Sequence, residues 1–202
     1  MRDEMTNQEV IPGVQIVENF FRYPLAVRQH ALLSEFYDWR APDGEVYKRV
    51  SLLRVPGMVA KLQEIVGPLI LLGTGYRLNY AGEAPNQAIH SDIGWGTHAA
   101  VAYLQEGESG TAFWTHKRTG AVSIQPGDTE LFQEIGDDWE DSEAWELRHV
   151  VEMKFNRGLV YDSTLFHSRW PFEAFGSSSK DGRLIAVAFF SKESVDDTTI
   201  EA

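Results

Sequence analysis

Residues 76–116, YRLNYAGEAPNQAIHSDIGWGTHAAVAYLQEGESGTAFWTH, decide how the rest of this chain is read. Four segments within it, YRLNY, QAIHSD, HAAVAYL and TAFWTH, are short, rich in aromatic or β-branched residues, and separated by Gly, Pro, Asp or Ser. That pattern predicts strands, since such side chains pack well on a pleated surface and the intervening residues favour turns. His90 and Asp92 stand two positions apart in the second segment. Successive strand side chains alternate between faces, so this imidazole and this carboxylate leave the same face and can share one metal ion.

Downstream, HVVEMKF (149–155), GLVYDS (158–163) and RLIAVAFF (183–190) repeat the strand pattern. Upstream the character differs. IPGVQIVENFF (11–21) reads as a strand leading into a turn, and Pro24 then suits a first helical position, where its missing N–H costs nothing. Leu25, Leu32, Leu33 and Phe36 follow at spacings that share one helical face. A second helix fits 57–66, with Met58, Leu62, Ile65 and Val66 on one stripe and Gly67-Pro68 as the stop. Seven or eight strands after a helical start predict a mainly β (α+β) fold, a jelly roll with N-terminal helices packed on the larger sheet. The expected division is a flexible tail over 1–10, a single domain over 11–192 and an acidic tail over 193–202. Within the domain, a helical front end (11–74) precedes a jelly-roll core (75–192). The run of acids and two tryptophans at 126–147 interrupts the core as an insertion with one or two helical turns.

Composition narrows the chemistry. The 202 residues are 43% hydrophobic and 24% charged, the balance of a globular protein with a core of its own. Eighteen Lys and Arg against thirty Asp and Glu give a formal charge of −12, which repels phosphate backbones and disfavours a nucleic-acid partner. With no cysteine, thiolate nucleophiles, Fe–S clusters and Cys-type zinc sites are excluded, leaving His and carboxylates as the strong metal ligands. The polar start MRDEMTNQEV does not read as a leader, and LIAVAFF is too short to span a bilayer. A soluble, cytoplasmic protein is expected.

Beyond the His90–Asp92 pair, His167 follows an apolar strand in LVYDSTLFHSRWP, where side chains emerge at the mouth of a sandwich. Arg183 opens RLIAVAFF, an unusual place for a guanidinium unless an anion meets it there. Tyr80 ends the strand before the pair, and Tyr103 lies in the strand after it. Trp95, Arg169 and Trp170 sit on neighbouring loops suited to substrate contact. His98 and His116 read as rim residues, and His30 and His149 suggest no role. Each residue alone has an ordinary structural reading; the ordered set carries the argument.

That set resembles the Fe(II)/2-oxoglutarate-dependent oxygenases, in particular their prolyl-hydroxylase-like branch, over roughly residues 75–192. The resemblance implies a double-stranded β-helix in which His90, Asp92 and His167 hold iron as a two-His-one-carboxylate triad. It further implies that Arg183 pairs with the distal carboxylate of 2-oxoglutarate, that Tyr80 and Tyr103 line the cosubstrate pocket, and that O2 completes the cofactor set. The implied enzyme is a dioxygenase of hydroxylase type. It oxidises a C–H bond of an amino acid, a peptide or protein side chain, or a small metabolite while 2-oxoglutarate becomes succinate. SGTAFWTHK (109–117) resembles the family's glycine-led segment, although Gly110 stands alone there. VENFFRYPLAVRQHAL (17–32) resembles the start of bacterial and phage members. The frequent Arg-x-Ser pair is absent, because Ile185 follows Arg183 by two. The residues themselves leave two alternatives open: a zinc-type hydrolase on the same triad, and a non-catalytic jelly-roll binding module.

Overall fold

A computed structural model describes residues 7–41, 44–83 and 89–193. Its strands are β1 (Asn7–Ile11), β2 (Val14–Val17), β3 (Tyr37–Arg40), β4 (Val46–Ser51), β5 (Leu69–Asn79), β6 (His98–Tyr103), β7 (Gly110–His116), β8 (Trp145–Glu152), β9 (Gly158–Asp162), β10 (His167–Trp170) and β11 (Arg183–Lys192). Helices α1 (Pro24–Leu32), α2 (Met58–Val66) and α3 (Thr129–Ile135) lie between them. Eight strands form one sheet in the order β1-β2-β9-β6-β11-β5-β4-β3, and β10-β7-β8 form a second. The paired strands run antiparallel, so the architecture is the jelly roll expected from the strand pattern.

Three apolar clusters hold these layers together. Between the sheets, Val101, Tyr103 and Ile185 of the large sheet meet Phe113 and Val151 of the small one. On the outer face of the large sheet, Tyr76, Leu78, Ala186 and Ala188 pack against Val27 and Ala31 of α1 and Met58 and Leu62 of α2. Fully burying side chains such as Met58 and Leu62 contributes about 1.5–3 kcal/mol each, enough to fix two helices too short to persist alone. Outside the small sheet, Trp114 and Ala112 pack with Ile135 and Trp145. Most of the 126–147 stretch is thus a packed layer built from α3 and 3₁₀ turns, while its last three residues already belong to β8.

Several local expectations need correction. Residues 7–10, assigned to a flexible tail, form most of β1 and pair with β2, while residues 1–6 lie outside the described residues. The front end is not purely helical: it supplies β3, β4 and the first half of β5 to the large sheet. Helix α1 is also rotated relative to the expected stripe. Val27 and Ala31, one turn apart, face the sheet, whereas Leu25 and Leu33 are 72% and 79% exposed. QAIHSD is no strand among its described residues; His90 makes a single β-bridge. At Gly75 a Cβ would run into the Ser51 carbonyl oxygen, so the close approach of β4 to β5 depends on the missing side chain. Helix α2 ends at Gly67, whose φ of +81° turns the chain toward β5. Among the described residues, no helix is long and apolar enough to cross a membrane.

Candidate metal centre and its cavity

The candidate centre is set by a backbone contact. The His90 N–H donates to the His167 carbonyl at 3.0 Å, and the His167 N–H returns the bond at 2.8 Å. Residues that exchange both bonds across antiparallel chains project their side chains to one side. The two imidazoles accordingly lie 4.4 Å apart, centroid to centroid. Two residues on, the Asp92 N–H donates to the Ser163 carbonyl at 2.8 Å, which turns its carboxylate toward the pair. Asp92 Oδ2 stands 3.2 Å from His167 Nε2 and Oδ1 stands 3.9 Å from His90 Nε2. One ligand atom from each of the three lies within 4.8 Å of the others.

The surroundings prepare these atoms for a cation. His167 Nδ1 lies 2.9 Å from the Leu165 carbonyl oxygen, which can only accept, so Nδ1 carries the hydrogen and Nε2 is the free ligand atom. Tyr161, six residues earlier on β9, donates to Asp92 Oδ2 at 3.2 Å, and its oxygen lies 3.2 Å from His167 Nε2. Burial raises the Asp92 pKa, but the adjacent His167 and His90 and the hydrogen bonds outweigh it and hold the carboxyl below its usual range. Burial lowers the His167 pKa, and the Asp92 charge and hydrogen bond more than reverse that. Burial and the Asp92 charge push the Tyr161 hydroxyl well above its ordinary value, which keeps it a donor.

The triad opens into a cavity of about 740 Å³ bounded on one side by the large sheet. Arg183 lines it while 3% exposed, donating to Ser109 Oγ and the Gly110 carbonyl, each at 3.2 Å. Among the described residues it forms no ion pair, and burial pulls its pKa down to about 10. Trp95 and Arg169 also line the cavity; Arg169 donates to the carbonyls of Phe172 and Glu83.

Three expected residues are placed elsewhere. Tyr80 belongs to the opposite face of the sheet: it packs toward the helix-covered cluster, with the Arg49 guanidinium 4.3 Å from its ring, and it does not line the cavity. Between Gly73 and Asn79 the odd-numbered residues of β5 face the cavity, so Asn79 takes the place expected of Tyr80. Tyr103 is buried behind the wall, its hydroxyl 2.9 Å from Thr111 Oγ and donating to the Val151 carbonyl at 3.2 Å. Trp170 stacks among Trp114 and Phe172 outside the small sheet. Two residues that sequence reading passed over join the site. Tyr161 touches the triad, and Arg77 lines the cavity. A guanidinium at the start of an apolar strand singled out Arg183, and a related signal, a guanidinium within a strand pattern, is present for Arg77 in YRLNY.

The fold and site define the class of architecture. SnoN, a non-heme alpha ketoglutarate dependent epimerase from nogalamycin biosynthesis, is similar with a TM-score of 0.55 at 16% identity, over 89% of this chain and 76% of SnoN. SnoK, a non-heme alpha ketoglutarate dependent carbocyclase from the same biosynthesis, gives 0.52 at 15% identity, over 92% and 84% of the two chains. AviO1 from Streptomyces viridochromogenes Tue57 gives 0.51 at 15% identity, over 90% of each. At such identities the likeness is one of fold: the chain has the jelly roll of the iron- and 2-oxoglutarate-dependent (α-ketoglutarate-dependent) enzymes, as its motifs suggested. It belongs to DUF6445, a family of unknown function whose model matches residues 86–190 and so spans both triad segments and Arg183. No curated protein sequence matches the chain.

Proposed function

We propose that this protein is an Fe(II)- and 2-oxoglutarate-dependent oxygenase that hydroxylates a C–H bond of a small molecule, an amino acid or a peptidyl side chain. The observation that carries the reading is that His90, Asp92 and His167 gather their ligand atoms within 4.8 Å at a cavity also lined by Arg183, which is buried and in no ion pair among the described residues. Two imidazoles and one carboxylate are a donor set suited to ferrous iron, and they leave coordination positions open toward the cavity. The fold likeness to SnoN and SnoK supports the same reading.

Bound together, Fe(II), 2-oxoglutarate and O2 supply the oxidation, one oxygen atom going to the C–H bond and the other to succinate as CO2 leaves. The residues of the chain do the positioning. His167 is fixed in its ligating tautomer by the Leu165 carbonyl, and Asp92 is oriented by the Tyr161 hydroxyl. Arg183 would hold the distal carboxylate of the cosubstrate by a charge-assisted pair. Val101, Ile185, Val187 and Phe189 give the cavity an apolar wall that limits water near the reacting groups.

The test is spectroscopic. Metal-free protein mixed anaerobically with Fe(II) and then 2-oxoglutarate is expected to develop a weak visible charge-transfer band. His167→Ala should abolish it, and Arg183→Ala should weaken it at limiting cosubstrate. Iron binding without the band would overturn the reading in favour of a metal-dependent hydrolase, and no iron binding would leave a non-catalytic module.

A further inference from the structure

We infer that the substrate of this site is an anion with an apolar, ring-sized body, and that Arg77 receives its carboxylate. The inference rests on the oxygenase reading for the assignment of Arg183 to 2-oxoglutarate. It starts from a charge imbalance. A chain with a formal charge of −12 lines this cavity with five cationic side chains, Lys48, Arg54, Arg77, Arg169 and Arg183, against two carboxylates. Both carboxylates are already engaged, Asp92 in the triad and Glu83 in an ion pair with Arg49. Ferrous iron and the 2-oxoglutarate dianion add no net charge between them, so they do not relieve the excess. Lys48 and Arg54 are exposed and solvated, whereas Arg183 is buried and Arg77 and Arg169 are partly so. Cations withdrawn from water without counter-charge are costly, and a further anion relieves that cost.

Arg77 is the cation best placed for it. Arg183 and Arg169 are both held by hydrogen bonds to the protein, whereas Arg77 Nε is buried with no hydrogen-bond partner. Its guanidinium lies 5.0 Å from the Tyr47 ring and forms no ion pair among the described residues. Burial lowers its pKa, as it does for the other two arginines. The sheet register then orders the cavity wall. Along paired β5 and β11, Asn79 faces Arg183, Arg77 faces Ile185, Gly75 faces Val187 and Gly73 faces Phe189. Arg77 therefore comes one step after Arg183, and the next steps are apolar, with Gly73 adding no side chain to the wall. At the far end Trp95 packs 5.6 Å from Phe189 and 5.9 Å from Trp39. A molecule seated beside the cosubstrate would meet a guanidinium at one end and indole and phenyl surfaces at the other.

The experiment uses protein loaded anaerobically with Fe(II) and saturating 2-oxoglutarate. Calorimetry compares 3-phenylpropionate, indole-3-acetate and N-acetyltryptophan, each beside its primary amide. At least one carboxylate should bind about tenfold or more tightly than its amide, the size of one charge-assisted hydrogen bond. Arg77→Met should erase that preference while 2-oxoglutarate affinity stays within about twofold, which also serves as the folding control. Equal affinity of acids and amides, or no binding of any, overturns the inference while the oxygenase reading stands. Loss of 2-oxoglutarate binding in both Arg77→Met and Arg77→Lys, at unchanged Tm, would assign Arg77 to the cosubstrate and also overturn it. If the wild-type protein takes up no 2-oxoglutarate, the oxygenase reading fails instead. The acid-over-amide preference is then measured on the metal-free protein, where its absence counts equally against the anion site.

Discussion

Two of the places in this molecule that bring a histidine against an aspartate are built for opposite ends. At the triad, His167 Nδ1 is satisfied by a carbonyl, and Nε2 converges with His90 and Asp92 on open cavity. At the other, His116 is fully buried and both ring nitrogens are engaged, Nδ1 with Thr119 Oγ at 2.8 Å and Nε2 with Asp138 Oδ2 at 2.9 Å. Arg118 donates to the same Asp138 oxygen at 2.8 Å, and the Trp145 ring packs 4.9 Å from the imidazole. A His–Asp contact becomes a metal site only where lone pairs remain to face empty space. Where every polar atom is spent internally, the same residues clamp one layer to another, here the 126–147 stretch to β7.

The contrast can be broken by experiment. The largest expected effect is His167→Ala, which should lower iron affinity by about 100-fold or more, since one of three protein ligands is removed, with little change in Tm. His116→Ala should do the reverse. Iron affinity stays intact, while two part-buried hydrogen bonds and the packing of a buried ring are lost and Tm falls. If His116→Ala also lost the metal, the two centres would not be independent. Tyr161→Phe sharpens the first centre: without its hydroxyl on Asp92, iron affinity should fall about tenfold in a metal titration. The smallest effect concerns acid. The Arg118 hydrogen bond, then that of His116, hold the Asp138 carboxyl below its usual range. Its contribution is complete at neutral pH and fades as pH drops from about 4 through the lower folded value. Fluorescence of Trp139 and Trp145 should report that loosening ahead of global unfolding.

Much of this was legible in the sequence because strand periodicity and turn residues are local signals. The jelly roll, both helices and the meeting of His90, Asp92 and His167 follow from them together with a motif order. What could not be read was parity. Nothing local tells whether the odd or the even residues of YRLNY face the cavity, and the register of β5 on β11 settles it in favour of Arg77 and Asn79 over Tyr80. Helix α1 was misread for a similar reason. Apolar residues surround most of its circumference, so spacing alone could not choose Val27 and Ala31 over Leu25 and Leu33. Tyr161 and Arg77 carried weak signals, a tyrosine or an arginine in an otherwise apolar strand, and only their neighbours in space give those signals meaning.

The reciprocal hydrogen bonds between His90 and His167 also set a timetable. They join positions 77 residues apart, so the ligand cluster cannot exist until nearly the whole jelly roll has closed around it. A chain emerging from the ribosome has no triad to offer until β10 has been made and docked on β7. Any metal capture by the triad would thereby wait for that long-range pairing, after most of the chain has been made.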